Sequence, residues 1–136
     1  VVCQPAQAVL EHVAIGPLTH VVVMTHNFED DLALLPALLD TESPWIGLMG
    51  PRKRTAMLMR ELLKRGALPS AESFERVQTP VGIDLGADRP EEVALSVLSG
   101  LIAARNEAGG GLLRDRDSGS IHDPHERIRI LLEEAS

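Results

Sequence analysis

Two short aliphatic runs, each followed by a polar turn and then by a helical pattern, constrain the fold of this 136-residue chain most strongly. The runs are residues 20–25 (HVVVMT) and residues 45–49 (WIGLM). Continuous aliphatic runs of this kind are typical of strands buried in a parallel sheet. The alternation of strands and helices therefore predicts an α/β fold with a Rossmann-like doubly wound parallel sheet. In such sheets ligands bind beyond the carboxyl ends of the strands.

Apolar residues at helical spacing predict four helices, over residues 5–13, 29–39, 52–65 and 91–105. Pro36 lies inside the second helix and is expected to kink it or to break its first turns. Gly66 is expected to end the third helix. Residues 69–75 are predicted to form a polar link. The two glycines of segment 79–87 (TPVGIDLGA) favour a close approach of backbones over a long regular strand.

Composition argues against nucleic acid and membranes as partners. The net charge is −7, whereas binding to nucleic-acid phosphates needs a basic face. No apolar run approaches the length of a membrane span. Cys3 is the single cysteine, which excludes an internal disulfide and a multi-cysteine metal site, and it is expected to pack in an apolar stretch. A cytoplasmic protein is the expectation.

The start of the chain bears on the predicted domain organisation. Residues 1–3 (VVC) have the character of the end of a strand, and no initiator methionine precedes them. We therefore expect the chain to be a fragment of a longer protein. Residues 1–108 are predicted to form the Rossmann-like domain. Residues 109–136 are predicted to form a glycine-rich tail with a short amphipathic helix over residues 124–134.

The first candidate site is the turn Thr25-His26-Asn27, which follows the first predicted strand. A histidine at the carboxyl end of a strand can act as an acid or base, bind a metal, or donate to a phosphate or pterin oxygen. One histidine with acids nearby does not have the spacing of a metal site. The alternative is structural: Asn27 caps the following helix, and His26 hydrogen-bonds across the sheet edge.

The second candidate site is the turn GLMGPRKR, residues 47–54, where a strand leads through Gly50 into a basic helix start. Each cation at a helix N-terminus opposes the helix dipole at a cost of about 0.3–1 kcal/mol. Three adjacent cations there indicate an anion that offsets them, and Arg52 or Arg54 can bind it through two parallel hydrogen bonds. The alternative is a solvated basic turn in which Gly50 supplies a positive φ.

The third candidate is the segment around Asp84, which is placed to hydrogen-bond a ribose or to order its own loop. Either Asp88 or Arg89 is the N-cap of the helix that follows. Glu91 completes a capping box if the cap is Asp88, and Glu92 completes it if the cap is Arg89. The sequence contains no G-x-G-x-x-G motif with a downstream acid, no Walker A loop and no evident Ser/His/Asp arrangement. No residue is assigned a catalytic or metal-binding role.

Four segments in fixed order, VVVMTHNFEDDLALL, WIGLMGPRKR, TPVGIDLGADRPEEVALSVLSGLIA and GGLLRDRDSGSIH, resemble the C-terminal Rossmann domain of the XdhC/CoxI family. These proteins are maturation factors of xanthine dehydrogenase and carbon monoxide dehydrogenase. The resemblance covers residues 18–123. The family's THN or THD segment corresponds to residues 24–31, its glycine turn to residues 47–54, and its third segment to residues 79–97. Pro51 stands where the family has a serine. The resemblance also implies that this sheet lacks the family's first βαβ unit, which carries a glycine-rich loop.

The resemblance implies a non-catalytic role: to bind molybdenum cofactor, to support its sulfuration and to deliver it to an apo molybdenum hydroxylase of the xanthine dehydrogenase type. The cofactor-binding residues expected from the turns and from the resemblance are His26, Asn27, Gly50, Arg52, Arg54 and Asp84. Two other functions stay open. One is an NAD-dependent oxidoreductase domain, and the other is a structural dimerisation module that forms a homodimer through the helix over residues 91–105.

Overall fold

A computed structural model of the chain describes residues 1–115. The centre of the molecule is a sheet of three parallel strands in the order β1-β2-β3, with β2 in the middle. The strands are β1 (His20–Val23), β2 (Trp45–Leu48) and β3 (Val77–Gln78). Because all three strands run in the same direction, their carboxyl ends lie at one edge of the sheet. The predicted Rossmann-like α/β fold is confirmed.

Five α-helices belong to the described part of the chain, and none of them is long and apolar enough to cross a membrane. They are α1 (Val9–His12), α2 (Phe28–Leu39), α3 (Arg52–Lys64), α4 (Ala71–Phe74) and α5 (Pro90–Arg105). The three longest agree with the predicted helices to within one residue at each end. The first predicted helix is shorter, because a 3-10 turn (Ala6–Ala8) takes up its beginning. The helix predicted over residues 124–134 lies outside the described residues.

Three expectations about local structure are wrong. Pro36 does not break α2, because the inward leucines of this helix hold both sides of the proline in the core, and only the alternative of a kink stays a prediction. The predicted polar link contains α4, whose start is capped by Ser70 with a hydrogen bond from the amide of Ser73 at 3.0 Å. Residues 1–3 form no strand, because no described strand lies beside them, and Cys3 is exposed rather than packed.

The core lies between the sheet and the two helices α2 and α3. Ile46 and Leu48 of β2 point to this side and are buried with leucines of both helices. Each such side chain contributes about 1.5–3 kcal/mol when it leaves water. The fully buried or nearly buried members of this cluster are Val23, Leu32, Leu35, Leu38, Leu39, Ile46, Leu48, Leu58 and Leu62. The alternate residues of β2, Trp45 and Gly47, point to the opposite face, as the two-residue period of a strand requires.

Helix α5 is joined to the loop that follows β3 by small residues. Ser96 donates from Oγ to the carbonyl oxygen of Ile83 at 2.5 Å and accepts the amide of Ile83 at its own carbonyl oxygen at 3.2 Å. A Cβ atom on Gly82 would overlap with Oγ of Ser96, and one on Gly100 would lie 3.0 Å from Cα of Gly82. The close backbone approach predicted for this segment is therefore confirmed.

Gly47 offers a direct test of how tightly the second face of β2 is packed. A Cβ atom at this position would overlap with Cγ2 of Val81 and would lie 2.7 Å from Cη2 of Trp45. We expect Gly47→Ala to lower the free energy of unfolding by about 1–3 kcal/mol, the usual cost of overpacking. Urea denaturation followed by the fluorescence of Trp45 measures this change. Gly16→Ala is the matched control, since its Cβ atom meets nothing within 4 Å. Equal losses in the two variants would contradict the prediction.

Candidate functional site

The turns that follow β1 and β2 lie side by side at the carboxyl edge of the sheet. The strands are in parallel register, and beyond them the amide of Met49 donates to the carbonyl oxygen of Val23 at 2.9 Å. Two residues of the predicted site, His26 and Asn27, belong to the first turn. Three more residues of the predicted site follow β2: Gly50 lies in the second turn, and Arg52 and Arg54 lie in the first turn of α3. The two turns thus share one edge, where ligands bind in sheets of this kind.

His26 is exposed and has a backbone φ of 59°, in the left-handed region. Histidine enters this region more often than most residues, but the conformation still costs about 1–3 kcal/mol. The side chain of Thr25, which precedes the histidine, is bound to the backbone of Asn27, which follows it. Oγ1 of Thr25 accepts the amide of Asn27 at 3.1 Å and lies 2.9 Å from the carbonyl oxygen of Asn27. The imidazole is therefore presented to solvent by a backbone that the neighbouring side chain constrains.

Asn27 is the N-cap of α2. Its Oδ1 accepts the amide of Glu29 at 3.0 Å, and its carbonyl oxygen accepts the amide of Asp31 at 3.1 Å. This confirms the structural role that the sequence offered for Asn27. The side-chain amide nitrogen makes no hydrogen bond with any described residue, so the cap leaves both N–H donors of this amide unused.

Asp31 connects the two turns, and sequence reasoning did not include it among the site residues. Its side chain is 2% exposed, and Oδ2 accepts hydrogen bonds from Nε and Nη2 of Arg54 at 2.9 and 2.6 Å. Its other oxygen, Oδ1, accepts the hydroxyl of Thr25 at 2.6 Å. A usable signal was present: Asp31 precedes Leu35 by four residues and Leu38 by seven, so the helical period puts this carboxylate on the buried face.

Gly50 makes room for the side chain of Arg54. Its φ is 128°, a conformation that side chains oppose, and a Cβ atom here would lie 2.9 Å from Cδ of Arg54. The guanidinium carbon of Arg54 also lies 5.7 Å from the centre of the Phe28 ring, within the range of a cation–π contact. The turn after β2 is therefore shaped so that Arg54 reaches back to α2.

The first turn of α3 carries two cations that point away from the core. Arg52 and Lys53 are exposed, and neither makes an ion pair with any residue of the described part of the chain. Pro51 is the N-cap and provides no side-chain cap. The positive end of the helix dipole and two free cations therefore act together at one place, which favours a bound anion.

Asp84 makes no hydrogen bond or ion pair with either turn in the described part of the chain. It is exposed, and its Oδ1 accepts the amide of Gly86 at 3.1 Å, so it orders its own loop. Of the two caps proposed for α5, Arg89 is the N-cap residue. The side chain of Glu92 accepts the amides of Asp88 and Arg89, each at 3.1 Å.

An apolar cavity of about 470 Å³ lies beside β1 and extends to Thr25. Aliphatic side chains of β1, α1 and α2 form most of its wall, so it offers little to a charged group. Among residues 1–115 no group of three or more His, Cys, Asp or Glu side chains is arranged to hold a metal ion. The polar chemistry of this edge therefore lies in the two turns.

A parallel sheet with helices packed against it, whose carboxyl edge carries these two turns, belongs to the Rossmann-like class of α/β domains. A family model for the XdhC Rossmann domain matches residues 1–101, and the chain belongs to that family. The resemblance inferred from the sequence is thus confirmed.

Two curated proteins and one solved structure are similar to the chain over most of its length. The protein YqeB of Escherichia coli K12 is 32% identical over 115 residues, which are 85% of this chain and 20% of YqeB. A Bacillus subtilis protein named as a probable xanthine dehydrogenase component is 33% identical over 84 residues, 62% of this chain and 23% of that protein. A xanthine dehydrogenase structure from Bacillus halodurans is 28% identical with a TM-score of 0.66, over 78% of this chain and 30% of that one. The chain thus spans less than a third of each relative.

The cap of α5 generates a prediction about pH. The amides of Asp88 and then Arg89 hold the pKa of Glu92 below its usual value. A lowered folded-state pKa adds stability that is present above the unfolded pKa and is lost as the pH falls through the folded pKa. We expect Glu92→Gln to be less stable than the native chain near neutral pH, and the difference to shrink as the pH falls through the lowered folded-state pKa of Glu92. Urea denaturation at several pH values measures it.

Glu91→Gln is the control for this prediction, because Glu91 lies beside Glu92 in the first turn of α5 but accepts no hydrogen bond from a described residue. If the two variants lose the same stability at every pH, the special role of the Glu92 carboxylate is refuted.

Proposed function

We propose that this chain is the Rossmann domain of an accessory factor for enzymes of the xanthine dehydrogenase type. In this proposal the domain binds molybdenum cofactor, supports its sulfuration and delivers it to the apo-enzyme in the cytoplasm. The cofactor is a pterin that carries a phosphate or a nucleotide, so it combines an anion with a hydrogen-bonding ring. No residue of this domain forms or breaks a bond of the cofactor.

The observation that carries the proposal is the free basic start of α3 beside the His26 turn. Arg52 and Lys53 are available for a phosphate, because no described acid pairs with them. His26 and the amide nitrogen of Asn27 supply polar groups at the neighbouring strand end, suited to the ring oxygens and nitrogens of a pterin. Gly50 and Arg54 complete this arrangement. Asp84 makes its hydrogen bond within its own loop, and its part in the proposal is limited to reaching the same ligand from that loop.

The relatives support the class of client enzyme. One of them is named as a probable component of xanthine dehydrogenase, and a solved relative is described as a xanthine dehydrogenase. Membership of the XdhC family is consistent with an accessory role beside such enzymes. Delivery of cofactor to the apo-enzyme is the finer part of the proposal.

Titration of the 136-residue chain with isolated molybdenum cofactor, NAD and inorganic phosphate tests the proposed ligand. We expect molybdenum cofactor to bind most tightly, and Arg52→Ala to weaken it about tenfold or more, because a charge-assisted hydrogen bond to phosphate is worth about 1.5–3 kcal/mol. Arg60→Ala is the matched control. Arg60 is also an exposed arginine of α3 without an ionic partner in the described structure, but it lies two turns from the N-terminus.

The outcomes of this titration separate the alternatives. Binding of NAD in preference to molybdenum cofactor would favour the oxidoreductase domain. Equal affinities in Arg52→Ala, Arg60→Ala and the native chain would show that the start of α3 is not the anion site.

One observation supports a homodimer as a second proposal. Leu95, Leu98 and Ile102 lie on one side of α5 and are 58%, 56% and 48% exposed. Contiguous exposed apolar side chains of this kind mark interaction surfaces more often than isolated ones do. We expect Leu98→Glu to convert a dimer into a monomer in size-exclusion chromatography with light scattering. Leu63→Glu is the control, since Leu63 is 62% exposed on α3. A monomeric native chain at tens of micromolar would rule out this dimer.

A further inference from the structure

We infer that Asp31 is a positioning residue for the proposed anion site: it fixes Arg54 and the His26 turn together, so that both face one ligand. The inference rests on the proposed function. Asp31 is buried behind Arg54 and Thr25 and does not itself contact the ligand.

The position of Asp31 suits this role. The carboxylate is 2% exposed, and both of its oxygens are occupied by groups from the two turns of the site. Oδ2 takes two hydrogen bonds from Arg54, and Oδ1 takes one from Thr25. A buried carboxylate is held in place by such bonds, because each one lost leaves an unsatisfied charge. One buried carboxylate therefore binds Thr25, six positions before it, and Arg54, 23 positions after it.

Asp31 leaves part of Arg54 available. It binds the edge of the guanidinium formed by Nε and Nη2, and no described residue hydrogen-bonds to Nη1. The side chain of Arg54 is 26% exposed. The Phe28 ring lies on one side of the guanidinium and Asp31 holds one of its edges, so the group has few other positions. A side chain held in its binding conformation loses less freedom when a ligand arrives, which raises affinity.

The same carboxylate determines the shape of the His26 turn. Thr25 has one hydroxyl proton, and Asp31 is its nearer acceptor at 2.6 Å, against 2.9 Å for the carbonyl oxygen of Asn27. A hydrogen bond to a charged acceptor is also the stronger of the two. With its proton directed to Asp31, the hydroxyl oxygen accepts the amide of Asn27 at 3.1 Å. These two hydrogen bonds of Thr25 stabilise the left-handed backbone conformation of His26.

The two ways in which Asp31 can affect anion affinity, by its charge or by positioning Arg54, predict changes of opposite sign when Asp31 is neutralised. A carboxylate next to Arg54 opposes a bound anion, so an effect of charge alone would make the site bind more tightly when Asp31 is neutralised. Positioning has the opposite sign: loss of the carboxylate frees Arg54 and weakens binding. Thr25→Val complements this comparison, since it removes the hydroxyl and leaves every charge in place.

The test is a titration of the 136-residue chain with inorganic phosphate, followed by the backbone amide signals of both turns and the Nε–H signal of Arg54 in ¹⁵N NMR. We expect Asp31→Asn and Thr25→Val to raise the Kd about three- to tenfold, the effect of freeing one immobilised side chain. In both variants the Arg54 Nε–H should exchange faster with water. Thr25→Ser keeps the hydroxyl and should restore the native Kd and exchange rate.

Each outcome decides something. If the native chain binds neither phosphate nor molybdenum cofactor, the proposed function is wrong and this inference falls with it. If the native chain binds and Thr25→Val has the native Kd and the native Arg54 Nε–H exchange, the inference alone is overturned. Tighter binding by Asp31→Asn would show that Asp31 acts only through its charge. Should Asp31→Asn fail to fold, Thr25→Val and Thr25→Ser still decide the matter.

Discussion

The carboxyl edge of the sheet depends on the buried pair between Asp31 and Arg54. Burial of two charges is expensive, and removal of one partner from such a pair commonly costs about 3–5 kcal/mol because the other is left uncompensated. The cost is lower where one partner is partly solvated, as Arg54 is. The pair joins the first turn of α2 to the first turn of α3, the two helices that cover the core. The same contact therefore links the starts of the two core-covering helices to the two turns at the carboxyl edge.

This pair also explains how α3 tolerates three cations at its positive end. The sequence suggested that a ligand anion offsets all of them. In the structure the three divide into two groups: Arg54 turns inward to an acid of the protein itself, whereas Arg52 and Lys53 remain exposed. The requirement for an external anion is thus reduced to two charges. Asp31 neutralises Arg54 inside the protein, whereas Arg52 and Lys53 face solvent and are free to bind an anion reversibly.

Much of the fold followed from local patterns. Strands β1 and β2 and helices α2, α3 and α5 were predictable, because apolar periodicity and the helix-ending glycine report on burial and backbone conformation. Gly66 ends α3 with φ of 67° and with the amide of Ala67 bonded to the carbonyl oxygen of Leu62. Helix α4 was missed because four residues are too few for a period. The intact α2 around Pro36 was missed because packing, which the local rule omits, outweighs one lost hydrogen bond.

The candidate site was only partly predictable, for a different reason. The parallel direction of β1 and β2 follows from the alternation of elements, so the neighbourhood of the His26 and Gly50 turns was expected. The contact between these turns was not, because Glu29, Asp30 and Asp31 are equivalent acids by residue type alone. The helical period distinguishes them: Asp31 alone falls in line with Leu35 and Leu38 and is buried. A charged residue on the apolar face of a helix needs a buried partner. The position of Asp31 in the helical period therefore predicts a buried ionic contact that residue type alone does not predict.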